Sequence, residues 1–413
     1  MATDASGMEA GAAAEWAART AYGKLVAQLT AQCGDLAVAE DALADAFARA
    51  LEAWPRRGIP ASPEAWLMAA AKRRTVDAAR RRQTEARHAA ASVPAISDAP
   101  DSAETKGDRR LELLFLCAHP ALPESVHTPL MLQAVLGFTA EEIAAATLEP
   151  PARVGQRLVR AKRRLAEAKV PFALPPAHIL RERMAGVQRA IYAAYSSGWD
   201  DAANGAEAAT GLASEAEWLA RCLVRLAPED AEAKGLLSLI LYCESRRPAR
   251  RDDAGRFVPL DRQDTGLWDT RKIGEASALL RSAAARRVPG RFQFEAAIQA
   301  AHADRRKTGQ TDWAMVRRLY RGLMLAAPSL GAQIGEAAAA LHAGAPEEAL
   351  GLLGHLDASR VAGHGPYWAT RAHVLQALQR HEEASEAFER AAALAPDDAA
   401  RDFLLAARLR APG

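Results

Sequence analysis

The run TAEEIAAATLEPPARVGQRLVRAKRRL, residues 139–165, sets the reading of the whole chain. Thr139 and Glu142 stand three apart, the spacing of a capping box. In that motif the threonine hydroxyl accepts from the N3 amide and the glutamate reaches back to the N-cap amide. Phe138 and Ile143 fall at the positions of a hydrophobic staple. Together they predict a short helix over 140–146, with Ala144 and Ala145 small enough to let a neighbour approach. After a four-residue break, Pro151 takes the first position of a second helix, where its missing N–H is no loss. That helix carries an apolar stripe, Val154, Leu158, Ala161 and Leu165, beside a basic stripe, Arg153, Arg157, Arg160 and Arg164. Both follow i, i+4, i+7, i+11, so one face docks on a core while its flank presents guanidinium groups. Short capped helix, tight turn, longer basic helix: this is a helix-turn-helix arrangement, whose second helix enters a major groove by its N-terminal end. The spacing nominates Arg153, Gln156, Arg157 and Arg160 for direct contact with DNA, and Lys162, Arg163 and Arg164 for phosphates.

Upstream lies a second basic module. Asp35 is placed to cap a helix reaching Trp54, with Leu36, Leu43, Phe47, Leu51 and Trp54 as its buried stripe. Its opposite face carries Asp41, Asp45 and Arg49, which taken alone read as solvated surface. A loop over 55–61 follows. Ser62 and Pro63 then supply the N-cap and N1 of a further helix, which runs through Trp66, Leu67 and Val76 into Arg80, Arg81 and Arg82. Seven Lys/Arg lie between Lys72 and Arg87 against only Asp77 and Glu85, more than capping of a helix end requires.

Around these modules the chain reads as all-α. Ala, Leu, Arg and Glu recur at helical spacing and no strand-like alternation persists. Its 413 residues, half of them hydrophobic, allow two or three domains. The formal net charge is only +2, so the basic clusters are local fields and not a global excess. Four cysteines show no CxxC pair and no His partner at zinc spacing, which points to reduced thiols and no bound metal. No cofactor is expected. The N-terminus has neither a basic nor an apolar region of a signal peptide, and the longest apolar run, 236–243, is too short to span a bilayer. The expectation is a cytoplasmic protein without a membrane partner. Residues 91–108 are polar and Pro-bearing and read as a linker, and 171–180 as a stiffer Pro-rich joint. The domains expected are therefore 10–90, 109–170 and 181–413.

The last of these shows a repeat. Trp368, Ala372, Leu375, Ala384, Phe388, Ala391 and Pro396 fall at the signature positions of a tetratricopeptide unit, whose period is about 34 residues. Ala349, Leu353 and Leu356 occupy the second-helix positions one period earlier. Tyr320, Leu323 and Pro328, and Ala216, Leu223 and Pro228, read as degenerate copies. Such arrays present a concave face that binds protein.

Taken together, these residues resemble a bacterial RNA polymerase sigma factor of the extracytoplasmic-function type, in the subgroup with a C-terminal tetratricopeptide-like extension. DLAVAEDALADAF (35–47) is similar to region 2.2, AWLMAAAKRRTVDAARRR (65–82) to region 2.4, and LFLCAHPALP (114–123) with QRLVRAKRRL (156–165) to the subgroup's region 4. The resemblance implies that Arg153, Gln156, Arg157 and Arg160 face the −35 element. It implies that Trp54, Lys72, Arg73, Arg74, Arg80 and Arg81 serve the −10 element, Trp54 as a wall of a pocket for a flipped base. The family often has Asn where Arg73 stands. It further implies that Asp41, Asp45 and Arg49 meet the β′ clamp helices of core polymerase, that region 4 meets the β flap, and that the extension carries a regulatory partner.

Two other readings stand beside it. A conventional DNA-binding regulator with tetratricopeptide sensing repeats would not need core polymerase, but such proteins generally use one DNA-binding module and dimerise. An enzyme would have to use residues such as His302, Asp304 and Asp312, which lack any catalytic spacing, while 252–256 reads as a turn.

Overall fold

The computed structural model describes residues 2–89, 107–147, 149–201 and 207–409; within these, the side chains at 2–7, 19, 78–89, 146–147, 198–201 and 207–210 are left undescribed. The expected 91–108 linker therefore falls almost wholly outside the described residues. Among the latter there is no strand, only an isolated bridge between Arg251 and Phe257, and the fold is all-α. The chain divides into two compact units, Met1–Ser196 and Ser197–Gly413.

The first unit begins with α1 (Ala2–Cys33), α2 (Leu36–Arg57) and α3 (Pro63–Ala89), which pack on one another. Asp35 caps α2 as expected, accepting from the Ala37 and Val38 amides at 2.9 and 3.3 Å. The face that α2 buries is lined mostly by small residues: Ala39, Ala42, Ala46 and Ala50, with Leu36, Leu43 and Trp54. Leu51, expected on that face, is instead 53% exposed. The helix also outlasts its expected end. Pro55 sits in its final turn, where the chain has only to do without one amide donor, and Gly58 stops it with φ +84° and an N–H to Trp54 O. Ser62 Oγ accepts from the Ala65 amide at 3.4 Å and starts α3.

Next come α4 (Arg110–Cys117), α5 (Glu124–Leu136), α6 (Ala140–Thr147) and α7 (Pro151–Glu167). The capping box forms: Thr139 N donates to Glu142 Oε2 at 2.7 Å, and Glu142 N to Thr139 Oγ1 at 3.2 Å. Ile143 and Ala144 are buried, and Val154, Leu158, Ala161 and Leu165 of α7 all face inward. After α7 the Pro-rich joint folds back, its Phe172 ring lying under the Arg109 guanidinium at 4.8 Å. Helix α8 (Ala177–Asp201) then lies against this part of the unit, with Arg183 donating to Phe115 O at 3.1 Å and Arg189 paired to Glu124.

The second unit runs α9 (Glu207–Leu226), α10 (Ala231–Ser245), α11 (Thr270–Ala284), α12 (Arg291–Ala303), α13 (Arg305–Thr308), α14 (Trp313–Ala326), α15 (Leu330–His342), α16 (Pro346–Gly354), α17 (Ala358–Val361), α18 (Gly365–Ala377), α19 (His381–Ala393) and α20 (Asp398–Leu409). From α14 onward, each long helix packs on the next. Side chains of Asp230, Asp269, Asp312, Ser329 and Asp357 cap the starts of α10, α11, α14, α15 and α17. In the α18–α19 hairpin, Ala372, Leu375, Ala384, Phe388 and Ala391 form one buried cluster with Trp368 packed on it. The α15–α16 hairpin is closed by Ala349 and Leu353.

Between α10 and α11, residues 246–269 are an irregular strap. It opens with the turn read from sequence: Gly255, at φ +75°, donates to Asp252 O, and Asp252 N to Arg256 O. The strap then reaches both ends of the array. Arg251 pairs with Asp397 at 2.7 Å and Phe257 meets the Phe403 ring edge-on, while Arg305 donates to Gln263 O at 2.7 Å and its guanidinium covers the Trp268 ring. Strap residues 259–262 close one side of a cavity of about 600 Å³, whose walls include His302, Trp313, His342 and His373.

Candidate nucleic-acid interface

The face that α7 turns to solvent is built by subtraction. Its apolar stripe is consumed by packing on α5 and α6, so the opposite side must be open. Arg153, Gln156, Arg160, Arg163 and Arg164 are exposed there. Arg160 is steadied by a 3.2 Å bond to Gln156 Oε1, and Arg163 by Glu167 four residues on. Gly155 lies with its missing Cβ at 4.0 Å from Ala140, the close approach between the two motif helices that a small residue permits. Sequence reasoning passed over Val159. It is 63% exposed, beside Gln156 and Arg160 on the open face, and its signal was an apolar residue lying outside the buried stripe.

Two of the expected contacts are placed elsewhere. Arg157 is half-buried and its Nη1 meets Glu149 Oε2 at 3.0 Å, across the turn between the motif helices. Lys162 is the sharper departure: it lies inward, 2.5 Å from Glu40 Oε2 on α2 and 3.0 Å from Gln133 Oε1 on α5. The side chains of this pair are only 14% and 11% exposed. Burial pushes the Glu40 carboxyl above its ordinary range, and the Lys162 ammonium opposes that rise. The i, i+4 pattern had fixed the helix face but not the neighbour that flanks it.

The other basic surface starts on α3. Lys72 and Arg73 are exposed, and Arg73 Nε donates to Ala69 O at 3.2 Å. Arg74 pairs with Asp45 of α2 at 2.5 Å, which joins an expected DNA contact to an expected polymerase contact. The side chains of Arg80 and Arg81 lie outside the described residues. On the outer side of α2, Asp41 and Arg49 are exposed and Asp45 is half-buried. Trp54, expected as the wall of a base pocket, is 2% exposed and lies edge-on to Trp66 with ring centroids 5.7 Å apart. It belongs to the core beneath this surface.

Nothing among the described residues suits a metal: no group of three or more His, Cys, Asp or Glu could hold one. Cys33, Cys117, Cys222 and Cys243 form no disulfide, and burial raises the Cys117 and Cys243 thiols, away from reactivity. No helix among the described residues is long and apolar enough to cross a membrane. What the geometry offers is recognition: exposed basic side chains on the second helix of the helix-turn-helix, and Lys72 and Arg73 exposed on α3.

The chain is similar to known families over these same stretches. Residues 18–85 match Sigma-70 region 2, residues 112–165 match Sigma-70, region 4, and residues 183–284 match a family of unknown function, DUF6596. An uncharacterized protein of Rhizobium meliloti (strain 1021) is 38% identical over 371 residues, which cover 87% of this chain and 87% of that one. No solved structure matches the chain significantly.

Proposed function

Because the chain belongs to the sigma-70 family, as a sigma factor of the extracytoplasmic-function type that directs promoter recognition, we propose a specific division of labour among its parts. Helix α7 reads the −35 element. Arg153, Gln156 and Arg160 reach base edges or nearby phosphates, Val159 meets thymine methyl groups, and Arg163 and Arg164 hold phosphates. Lys72 and Arg73 on α3 serve the −10 element, with Arg80 and Arg81 further along the same helix. The outer face of α2, with Asp41, Asp45 and Arg49, docks on the clamp helices of core polymerase, and region 4 on the β flap. The second unit is a tetratricopeptide-like array that takes a regulatory partner. All of this takes place in the cytoplasm, where polymerase and chromosome meet.

One observation carries the reading. The open face of α7 gathers Arg153, Gln156, Arg160, Arg163 and Arg164 while the helix's whole apolar stripe is buried. A merely solvated helix gains nothing from concentrating one sign of charge, whereas a helix lying along phosphates does. The test is run-off transcription by core polymerase with and without the full-length chain on a panel of genomic promoters. Promoter-specific transcripts that need both components support the reading. DNA binding that proceeds without any association with core polymerase would favour a conventional regulator instead.

A further inference from the structure

The cavity beside the strap lies within the second unit and contains none of the residues assigned to DNA or polymerase. Its volume, about 600 Å³, is that of a small-molecule site, which commonly measures about 300–1,000 Å³. Packed interiors leave few voids larger than a water molecule. This one stays open because the helices facing it carry small residues there: Ala338 and Ala339 on α15, and Ala369 on α18. Gly335 of α15 belongs to the same wall. A Cβ on it would collide with the Tyr320 ring of α14, so the glycine gives that ring its place at the cavity.

The chemistry of the lining is specific. His302, at the base, is only 8% exposed, and neither of its ring nitrogens has a hydrogen-bond partner among the described residues. A buried polar group normally has one. Trp313 meets His302 edge-on, with ring centroids 5.3 Å apart, and stacks on His342 at 4.2 Å with the planes 11° apart. His373 adds an imidazole from α18. Burial holds His302, His342 and His373 below the ordinary histidine value. At neutral pH each ring is therefore uncharged and offers one N–H donor and one acceptor nitrogen. The charged side chains of the lining, Asp261 and Arg262, are neighbours on the exposed strap and opposite in sign. An ionised ligand would thus leave water without a counter-charge of its own, at a large cost, whereas an uncharged one would not.

We propose that this cavity binds an uncharged aromatic small molecule carrying a hydroxyl or carbonyl group, its ring against the aromatic wall and its polar group on His302. The site goes beyond the sigma-factor reading and stands or falls without it. A hydroxyl would donate to the acceptor nitrogen of His302, and a carbonyl would accept from its N–H. A peptide laid along the array would need this side open. Strap residues 259–262 close it, and Arg305 pins the strap there through the carbonyl oxygens of Asp261 and Gln263. A bound ligand would touch the strap together with α12, α14, α15 and α18, which carry the other walls, and would hold them together.

The test is fluorescence titration of the full-length chain with prodan, an uncharged naphthyl ketone whose emission moves to the blue in apolar surroundings. Prodan should bind saturably, one per chain, and raise the melting temperature. Naphthol should displace it, and naphthalenesulfonate, the same rings with a negative charge, should do so at least tenfold more weakly. Ala338→Phe fills the cavity from a half-buried position and removes no hydrogen bond. It should weaken prodan at least tenfold. His302→Leu should weaken prodan and naphthol about tenfold, the worth of one hydrogen bond, and leave displacement by plain naphthalene unchanged. Arg305→Ala, which frees the strap, should weaken every probe. Melting curves without probe show that each variant is folded. No saturable binding of prodan or naphthol overturns the proposal, as does prodan binding that both Ala338→Phe and His302→Leu leave intact. Naphthalenesulfonate binding as tightly as naphthol overturns the uncharged class of ligand. Arg305→Ala with unchanged or tighter binding overturns the strap as a wall and favours a groove open to peptides.

Discussion

Replacing Arg157 by alanine separates a fold contact from a DNA contact on the same helix. Its pair with Glu149 is 3.0 Å long, and the two side chains are 27% and 25% exposed. Exposed pairs are worth about 0.2–1 kcal/mol, and breaking a fully buried one costs about 3–5 kcal/mol. A pair about one-quarter exposed falls between, at about 2 kcal/mol. Arg157 Nε, however, is buried without a hydrogen-bond partner, so removing it returns part of that cost, about 1 kcal/mol. The net expectation is a loss of about 1 kcal/mol, or a drop of about 2–4 °C in the melting of a unit of this size. Arg160→Ala, on the open face, should change stability by less than about 0.5 kcal/mol. On DNA the order reverses. Arg160→Ala should flatten the salt dependence of the promoter complex by about 0.9 in the log–log slope for each phosphate that the arginine neutralises, and Arg157→Ala should leave the slope unchanged. Glu149→Ala closes a double-mutant cycle, in which the relief at Nε cancels and a coupling of about 2 kcal/mol is expected. Full stability in Arg157→Ala together with a reduced salt slope would refute the assignment of this arginine to the turn.

Two smaller tests follow from the same geometry. Thr139→Ala removes the acceptor for the Glu142 amide and should cost about 1 kcal/mol, with faster hydrogen exchange confined to the start of α6, while Thr139→Ser should be nearly neutral. Burial, helped by the nearby Arg246 and Arg305 charges, holds His302 down at about 3, far below the ordinary histidine value of 6.5. The folded state therefore resists a proton that the unfolded chain accepts, so the stability of the second unit is full above pH 6.5. It falls by about 1.4 kcal/mol per pH unit as acid is added toward pH 3. His302→Gln should shallow the decline of the melting temperature between pH 7 and pH 5; an unchanged decline would show that this imidazole does not set it.

The parts of this fold legible from sequence are those whose causes are local. Asp35, Ser62 and the Thr139–Glu142 box bond groups within a few residues, and each forms as its spacing indicated. The α7 stripe was legible because four apolar residues recur at helical spacing on a helix otherwise rich in charge. What escaped depends on distant partners. Lys162 looked like one more cation until Glu40, 122 residues away, drew it inward. Trp54 was legible from spacing as part of the buried stripe, and it is buried there; only the resemblance made it a pocket wall, whereas the indole tucks against Trp66 of the next helix. Leu51 shows a different failure: Leu36, Leu43 and Trp54 of the expected stripe are buried, but the rest of the inward face of α2 is marked by alanines, which let helices approach, and weighting by side-chain size put Leu51 there in their place. On the candidate interface, charge pattern located the helix, whereas which cations remain free was decided by packing.

The strap of the second unit alters how its array should respond to stress. In an open solenoid each helical pair answers only to its neighbours, and the terminal pair unravels first. Here a turn inserted ahead of the array holds the loop before its final helix, through Arg251 and an aspartate 146 residues further on. The last helix cannot peel away without surrendering that ion pair and the Phe257–Phe403 contact near it. The stack is thus hooped like a barrel, its two ends sharing one stave. Melting should come as a single event across the unit, and a ligand gripping either end would be felt at the other.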